Sequence, residues 1–250
     1  MTNSVKDTVY KLLTVMDSET QIRKYLKRFS SDEGLKFAVI KVGGKILKEE
    51  MENLIASLSF LKQVGLTPII VHGAGPQLTA HLDDKNIKAE FVDGQRVTSP
   101  EVLKAAREVF IDENHNLTSQ LKEVGVDATS FYSGVFECEL QHQDTLGLVG
   151  TISSVEIEQL LKTVKKGRVP VVSPLGETQE GQIVNVNADS ATFSLAKAVQ
   201  PYKIIFLTET GGVLDQDGKI ISNISIVNNY KYLIEQPWVH SGMKLKLEKV

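Results

Sequence analysis

Phe37-Ala38-Val39-Ile40-Lys41-Val42-Gly43-Gly44 and Pro68-Ile69-Ile70-Val71-His72-Gly73-Ala74-Gly75-Pro76 decide the reading of this chain. Each is a short apolar run that stops at glycines. Such a run, bounded by glycine, is the pattern of a strand buried on both faces of a parallel sheet. Residues 49–64 lie between the two runs and carry Met51, Leu54, Ile55, Leu58 and Leu61 on one helical stripe. Residues 77–84 take up helical spacing after the second run. Strand, glycine turn and helix in alternation mark βαβ units and a parallel sheet.

The alternation continues outward from these two runs. Residues 100–124 read as one long helix or a helix pair, and residues 128–132 and 147–152 as strands, partly antiparallel around Ser133-Gly134. Residues 155–166 read as helix, 168–173 as strand and 181–186 as a short hairpin element. Asn187-Ala188-Asp189 opens a helix over 188–199 with side chains that suit an N-cap. Residues 203–207 form a strand ending at Thr208-Glu209-Thr210-Gly211-Gly212, and 227–236 and 241–250 read as helices. Ahead of the first strand, residues 4–29 place Val5, Val9, Leu12, Leu13 and Met16, then Ile22, Tyr25, Leu26 and Phe29, at helical spacing. A helix there either packs on its own domain or reaches a neighbouring subunit, and the spacing does not choose between them.

Composition removes several function classes. The 250 residues suffice for one large α/β domain or two lobes, with 42% apolar and 24% charged residues. A formal net charge of -3 provides no global basic field for nucleic acid. No apolar run approaches the ~20 residues that span a bilayer, so no membrane partner is expected. Asp7, Asp17 and Glu19 argue against a transit peptide in this N-terminus, although a segment removed ahead of it would leave no trace. Cys138 is the single cysteine, which rules out an intrachain disulfide and fits a reducing compartment. It reads as a packed residue rather than a nucleophile.

Chemistry concentrates at the strand ends. Glycine there lets a ligand approach the backbone, and the following helix offers unpaired N–H groups and the positive end of its dipole. Two such turns on neighbouring strands point to an anion at the carboxyl edge of the sheet. Neither turn fits the G-x-x-x-x-G-K-[ST] or the G-x-G-x-x-G pattern. Lys41, at the end of a buried strand, is costly unless it faces an anion. Arg96 offers a planar fork that matches a carboxylate, although taken alone it reads as a surface salt bridge. In an extended segment, Asn185 and Asn187 share a face, just ahead of Asp189.

Lys41-Val42-Gly43-Gly44, His72-Gly73-Ala74-Gly75-Pro76-Gln77, Gly94-Gln95-Arg96-Val97-Thr98, Asn185-Val186-Asn187-Ala188-Asp189 and Gly242-Met243-Lys244-Leu245-Lys246 stand in one order along the chain. In that order they resemble the acetylglutamate kinases of the amino-acid-kinase superfamily. The branch that includes fungal kinases and bacterial kinase–synthase fusions looks most similar. Lys6–Tyr10, Ser133–Phe136 and Leu148-Val149-Gly150 add to the likeness.

The resemblance implies an α/β fold: a three-layer α/β/α sandwich with a mainly parallel central sheet, as in carbamate kinase. It implies a helical extension over 1–34 and a kinase domain over 35–250. Within that domain, an acetylglutamate lobe would run to about 180 and a nucleotide lobe from about 181. The implied activity is transfer of the ATP γ-phosphoryl to the γ-carboxylate of N-acetyl-L-glutamate, in arginine biosynthesis. Lys41 and Lys246 would flank the transferring phosphoryl, with Asp189 holding both ammonium groups. Gly73, Ala74, Gly75, Arg96, Asn185 and Asn187 would take the acceptor, Arg96 pairing with its α-carboxylate. Gly43, Gly44, Thr208, Glu209, Gly211, Gly212 and Met243 would face the nucleotide. Magnesium would ride on the ATP oxygens rather than in a protein cage, so no metal ligands are expected.

Three departures from the family pattern stand out. Ala74 replaces a glycine usual in the family, and alanine disfavours positive φ. Lys45 stands where small or aliphatic residues are usual, and either adds positive potential at the phosphates or points to solvent. The sequence ends four residues after Lys246, where the family continues through another helix and strands, so the nucleotide lobe is expected to be incomplete here. The N-terminal helix resembles the extension that pairs subunits in arginine-sensitive kinases, which implies a homo-oligomer and an arginine effector. The implied compartment is the cytoplasm for a bacterial source and the mitochondrial matrix for a eukaryotic one. Two other readings remain. One is a non-catalytic, arginine-binding domain of an N-acetylglutamate synthase, or a kinase–synthase fusion; the other is an amino-acid kinase with a different acceptor. A purely regulatory domain has no need of Lys41, Asp189 and Lys246 together.

Overall fold

Alternation along the first strands sets the layers. Ala38, Ile40 and Val42 pack into one apolar cluster with Leu54, Leu58, Leu117 and Leu121. Val39, between them, packs with Ile69, Val71, Ala191, Leu195 and Val199 into another. Successive residues of a strand point to opposite faces, so helices must cover both sides of the sheet, and they do. The computed structural model describes residues 37–239, apart from 93, 142, 223, 226–229 and 237.

In chain order the elements are β1 (Ala38–Val42), α1 (Gly44–Glu49), α2 (Met51–Gln63), β2 (Ile69–His72), α3 (Gly75–Asp84), β3 (Phe91–Val92), β4 (Gln95–Arg96), α4 (Pro100–Glu123), β5 (Ala128–Phe131), β6 (Phe136–Leu140), α5 (Gln143–Leu146), β7 (Gly150–Val155), α6 (Glu158–Lys165), β8 (Val169–Val172), β9 (Leu175–Glu177), β10 (Ile183–Asn185), α7 (Ala188–Val199), β11 (Lys203–Leu207) and α8 (Tyr230–Ile234). The central sheet runs β11-β1-β2-β8-β5 with every pairing parallel. One face packs on α2 and α4, and the other on α6, α7 and part of a second sheet. That second sheet runs β10-β9-β6-β7 and is mixed. A β3–β4 hairpin pairs Phe91 with Arg96. The α/β sandwich with a mainly parallel central sheet is therefore present. Among the described residues no helix is long and apolar enough to cross a membrane.

Several elements differ from the sequence reading. A six-residue helix, α1, precedes the expected one, because Gly43-Gly44 opens a helix rather than a loop. Residues 100–123 form one helix, capped by Ser99, whose hydroxyl accepts from Val102 N. The expected turn at Ser133-Gly134 does not pair β5 with its successor. β5 joins the central sheet beside β8, while β6 crosses to the second sheet and pairs antiparallel with β7. The strand expected over 147–152 runs instead over Gly150–Val155. Gly147 sits outside it because a parallel bridge ties it to Thr98. Cys138 is buried, and burial pushes its thiol up to about 11, as suits a packed residue. The helices expected over 4–29 and 241–250, with Met243 and Lys246, lie outside the described residues.

Candidate active site

Lys41 shares the Val39 face of β1, the side that packs on α7. Its ammonium therefore meets the first turn of α7, where Nζ lies 3.1 Å from Asp189 Oδ1. Both side chains are nearly buried, at 14% and 12% exposure, so each charge depends on the other. Asn187 caps α7, its Oδ1 accepting from Asp189 N at 2.9 Å and Ser190 N at 3.1 Å. That cap fixes Asp189 on the side facing Lys41.

The two glycine turns stand side by side, because β1 and β2 are neighbours. Gly73 N donates to Val42 O at 2.9 Å, so its amide is spent in the sheet. Gly73, which the resemblance assigns to the acceptor, therefore has no amide N–H left to offer it. In the first turn of α3, which begins at Gly75, the Gly75 and Gln77 amides have no intrahelical acceptor, and Pro76 has no N–H. Ala74 adopts φ -142, so no positive φ is needed there and alanine fits without strain. Gln77 Nε2 donates to Gly44 O at 2.8 Å and ties the two turns together.

A cavity of ≈ 530 Å³ opens at this carboxyl edge. Its wall takes in Lys41, Gly43, Gly44, Gly73, Ala74, Gly75, Arg96, Asn185, Asn187, Asp189, Thr208 and Glu209. Twelve of the expected site residues thus converge from segments far apart in sequence. Gly211 and Gly212 do not line the cavity. Gly211 has φ +72 and turns the loop, and a Cβ on Gly212 would press against Ile220, so these glycines serve the loop's own geometry.

Among the described residues Arg96 makes no surface salt bridge. Its Nη2 donates to Thr79 Oγ1 at 2.8 Å, and the guanidinium sits 4.7 Å from the Phe91 ring centroid. Nη1 is buried with no hydrogen-bond partner among the described residues. Burial disfavours the charged guanidinium, against the pull of Asp83. An anion at this wall would relieve both conditions. Lys45 lies on the rim, with Nζ 2.8 Å from Glu209 Oε2; that hydrogen bond and charge raise its ammonium pKa.

Among the described residues three cations, Lys41, Lys45 and Arg96, line the cavity with two carboxylates, Asp189 and Glu209. Each carboxylate is paired to a lysine. Among the described residues no group of three or more His, Cys, Asp or Glu could hold a metal ion. The site is built for an anionic ligand.

Residues 36–250 match the amino acid kinase family. The chain belongs to that family. The chain is 48% identical over 235 residues to an acetylglutamate kinase of Xanthomonas campestris, a match that covers 94% of this chain and 55% of that protein. It thus spans about half the length of that curated relative. It is also 38% identical over 247 residues to "Protein arg-6, mitochondrial" of Neurospora crassa, covering 99% of this chain and 28% of that one. Among solved structures, N-acetylglutamate synthase from Neisseria gonorrhoeae, complexed with coenzyme A and N-acetyl-glutamate, superposes with a TM-score of 0.77 at 20% identity. The superposition covers 93% of this chain and 55% of that one. At that identity the likeness speaks for the fold.

Several wall residues of the cavity escaped the sequence reading, among them Phe91, Phe110, Val149 and Pro174. Phe91 had a signal: Asp93-Gly94 between Phe91-Val92 and Gln95-Arg96 is a two-residue hairpin pattern. Val149 sits in a stretch that carried the family likeness. Phe110 and Pro174 had none, since only the packing of α4 and β8 against β2 brings them to the wall.

Proposed function

We propose that this chain is the amino-acid-kinase part of an acetylglutamate kinase, which transfers the γ-phosphoryl of ATP to the γ-carboxylate of N-acetyl-L-glutamate. The observation that carries the reading is the Lys41–Asp189 pair, 3.1 Å apart, set between two glycine turns in a cavity whose other wall holds Arg96 with an unpartnered Nη1. The identity to an acetylglutamate kinase supports the choice of acceptor.

The reaction joins two anions. A γ-carboxylate oxygen forms a bond to the γ-phosphorus, the bond to the bridging oxygen breaks, and ADP leaves with that electron pair. With a reference pKa near ~4.3 the carboxylate is already ionised, so no proton has to be removed. Charge neutralisation and alignment are what the protein must supply. Lys41 would offset the charge on the transferring phosphoryl, held in place by Asp189. The α3 N-terminus, the Gly43-Gly44 turn and Thr208-Glu209 would hold the phosphates. Arg96 would take the α-carboxylate, and Asn185 and Asn187 the acetamido side. The cavity carboxylates are already held by lysines, a donor set that suits magnesium carried on ATP oxygens, where it would neutralise phosphate charge. On this reading the acceptor lobe runs to about residue 180 and the nucleotide lobe from about 181, with Asn185 and Asn187 reaching the acceptor from just beyond that boundary and Gly43-Gly44 reaching the phosphates from the acceptor lobe. Lys246 would complete the phosphoryl clamp, and the N-terminal segment would pair subunits and admit arginine control.

The test is a hydroxylamine trap. The full-length protein, incubated with MgATP, N-acetyl-L-glutamate and hydroxylamine, should yield a hydroxamate. Lys41→Ala should lower kcat by roughly 10²–10³, the usual loss for one preorganised donor. A folded full-length protein that gives no hydroxamate but binds N-acetylglutamate or arginine would be a regulatory domain instead.

A further inference from the structure

We infer that Thr98 is a positioning residue that sets which end of the Asn185 carboxamide faces the cavity, so that the site favours an acceptor bearing an amide N–H. The inference rests on the acceptor reading above and deepens it. Thr98 is fully buried. Its Oγ1 donates to Arg96 O at 3.0 Å and accepts from Asn185 Nδ2 at 3.1 Å.

A threonine hydroxyl has one proton. Here it goes to the Arg96 carbonyl, which can only accept. The contact to Asn185 must then be filled by the amide NH2. Turning the carboxamide over would set two oxygens against each other, or take the proton from Arg96 and break a part-buried hydrogen bond. Asn185 Oδ1 is therefore the end left for the cavity, which Asn185 lines.

The backbone on both sides leaves this flip as the remaining freedom. Thr98 N donates to Leu146 O at 2.8 Å, and Leu148 N donates to Thr98 O at 2.7 Å. Asn185 N donates to Leu148 O at 2.9 Å. One segment, 146–148, thus fastens both partners. A Cβ on Gly147 would collide with the Thr98 carbonyl, so glycine keeps the segment against Thr98. With Oδ1 facing inward, the site offers an acceptor atom in the cavity that Arg96 also lines. It matches an N-acylated amino acid, whose N–H can donate, and opposes an isostere with oxygen at that position.

The experiment compares N-acetyl-L-glutamate with 2-acetoxyglutarate, the ester in which oxygen replaces the N–H, by calorimetric binding to the full-length protein. The wild type should bind the ester at least about tenfold more weakly, the worth of one hydrogen bond. In Thr98→Val, checked for folding by thermal unfolding, the carboxamide can turn over and the ratio should fall to about twofold. Thr98→Ser keeps the hydroxyl and should keep the wild-type ratio. An unchanged ratio in Thr98→Val, an equal loss for both ligands, or a wild type that binds both alike overturns the inference while leaving the acceptor reading intact. A wild type that binds neither ligand overturns the acceptor reading, and this inference with it.

Discussion

At the scale of single residues, the site glycines divide by what surrounds them. A Cβ on Gly44 would lie 2.9 Å from Pro76 Cδ and 3.0 Å from Ala74 Cα. The second contact is backbone and cannot easily yield. A Cβ on Gly75 would meet nothing within 4 Å, and Gly75 has no positive φ to require it. Gly44 is thus needed by the fold, whereas Gly75 leaves space in the cavity. Gly44→Ala should destabilise the protein by about 1–3 kcal/mol, the usual range for overpacking. Gly75→Ala should leave the urea midpoint where it was and lower kcat/KM by about tenfold or more, because the added methyl takes ligand space. Equal loss of stability in the two variants would refute that division. The sequence places both glycines in the site but cannot rank them, since only the fold shows what a side chain would strike. Thr98 and Asn185 illustrate the same limit: they stand 87 residues apart, and no spacing rule joins them.

At the scale of elements, strands and helices were legible where both faces of a strand are buried or one face of a helix is. β1 and β2 read clearly because their runs are apolar up to the glycines except for Lys41 and His72. β6 carried a signal as well, since Phe136-Glu137-Cys138-Glu139-Leu140 alternates apolar and charged residues as a half-buried strand does. α1 stayed hidden because two glycines at its start read as a loop. The start of α7 was legible as a cap, and here cap and cavity wall coincide at Asn187. Aspartate caps about as well as asparagine and suits the positive end of a helix. Asn187→Asp should therefore keep the thermal midpoint within a few degrees. It should nevertheless lower activity by at least about tenfold, because a new carboxylate faces the incoming anions. Asn187→Ala should cost about 1 kcal/mol of stability through loss of the cap. If Asn187→Asp keeps full activity, anions do not pass close to this cap.

At the scale of the whole molecule, a buried polar chain ties the second glycine turn to the helical layer. His72 Nε2 lies 3.1 Å from Ser173 Oγ, at the end of β8, and Asn114 of α4 donates to Ser173 Oγ at 3.0 Å and to Val171 O at 2.9 Å. Asn114 O accepts from Thr118, whose hydroxyl lies 3.0 Å from Ser130 Oγ of β5. β2, β8, β5 and α4 are thereby fixed to one another just behind the cavity. The strands themselves were legible; this connection was not, because residues so far apart in sequence share no periodicity. It has a consequence for acid stability. Burial pushes the His72 imidazole down to about 4 from 6.5, against a smaller opposing effect of the Gly73 backbone. The unfolded chain takes up this proton near pH 6.5 and the folded chain only near pH 4. Between those values the unfolded state binds more protons, so stability is lost as pH falls through the window. At ~1.36 kcal/mol per unit, the loss from this one group is about 3 kcal/mol. His72→Gln cannot titrate, so its stability should fall less between pH 7 and pH 4. Urea unfolding across that range should show the wild-type advantage over His72→Gln shrinking by about 3 kcal/mol; parallel curves would mean that His72 is protonated in the folded protein as readily as in the unfolded chain.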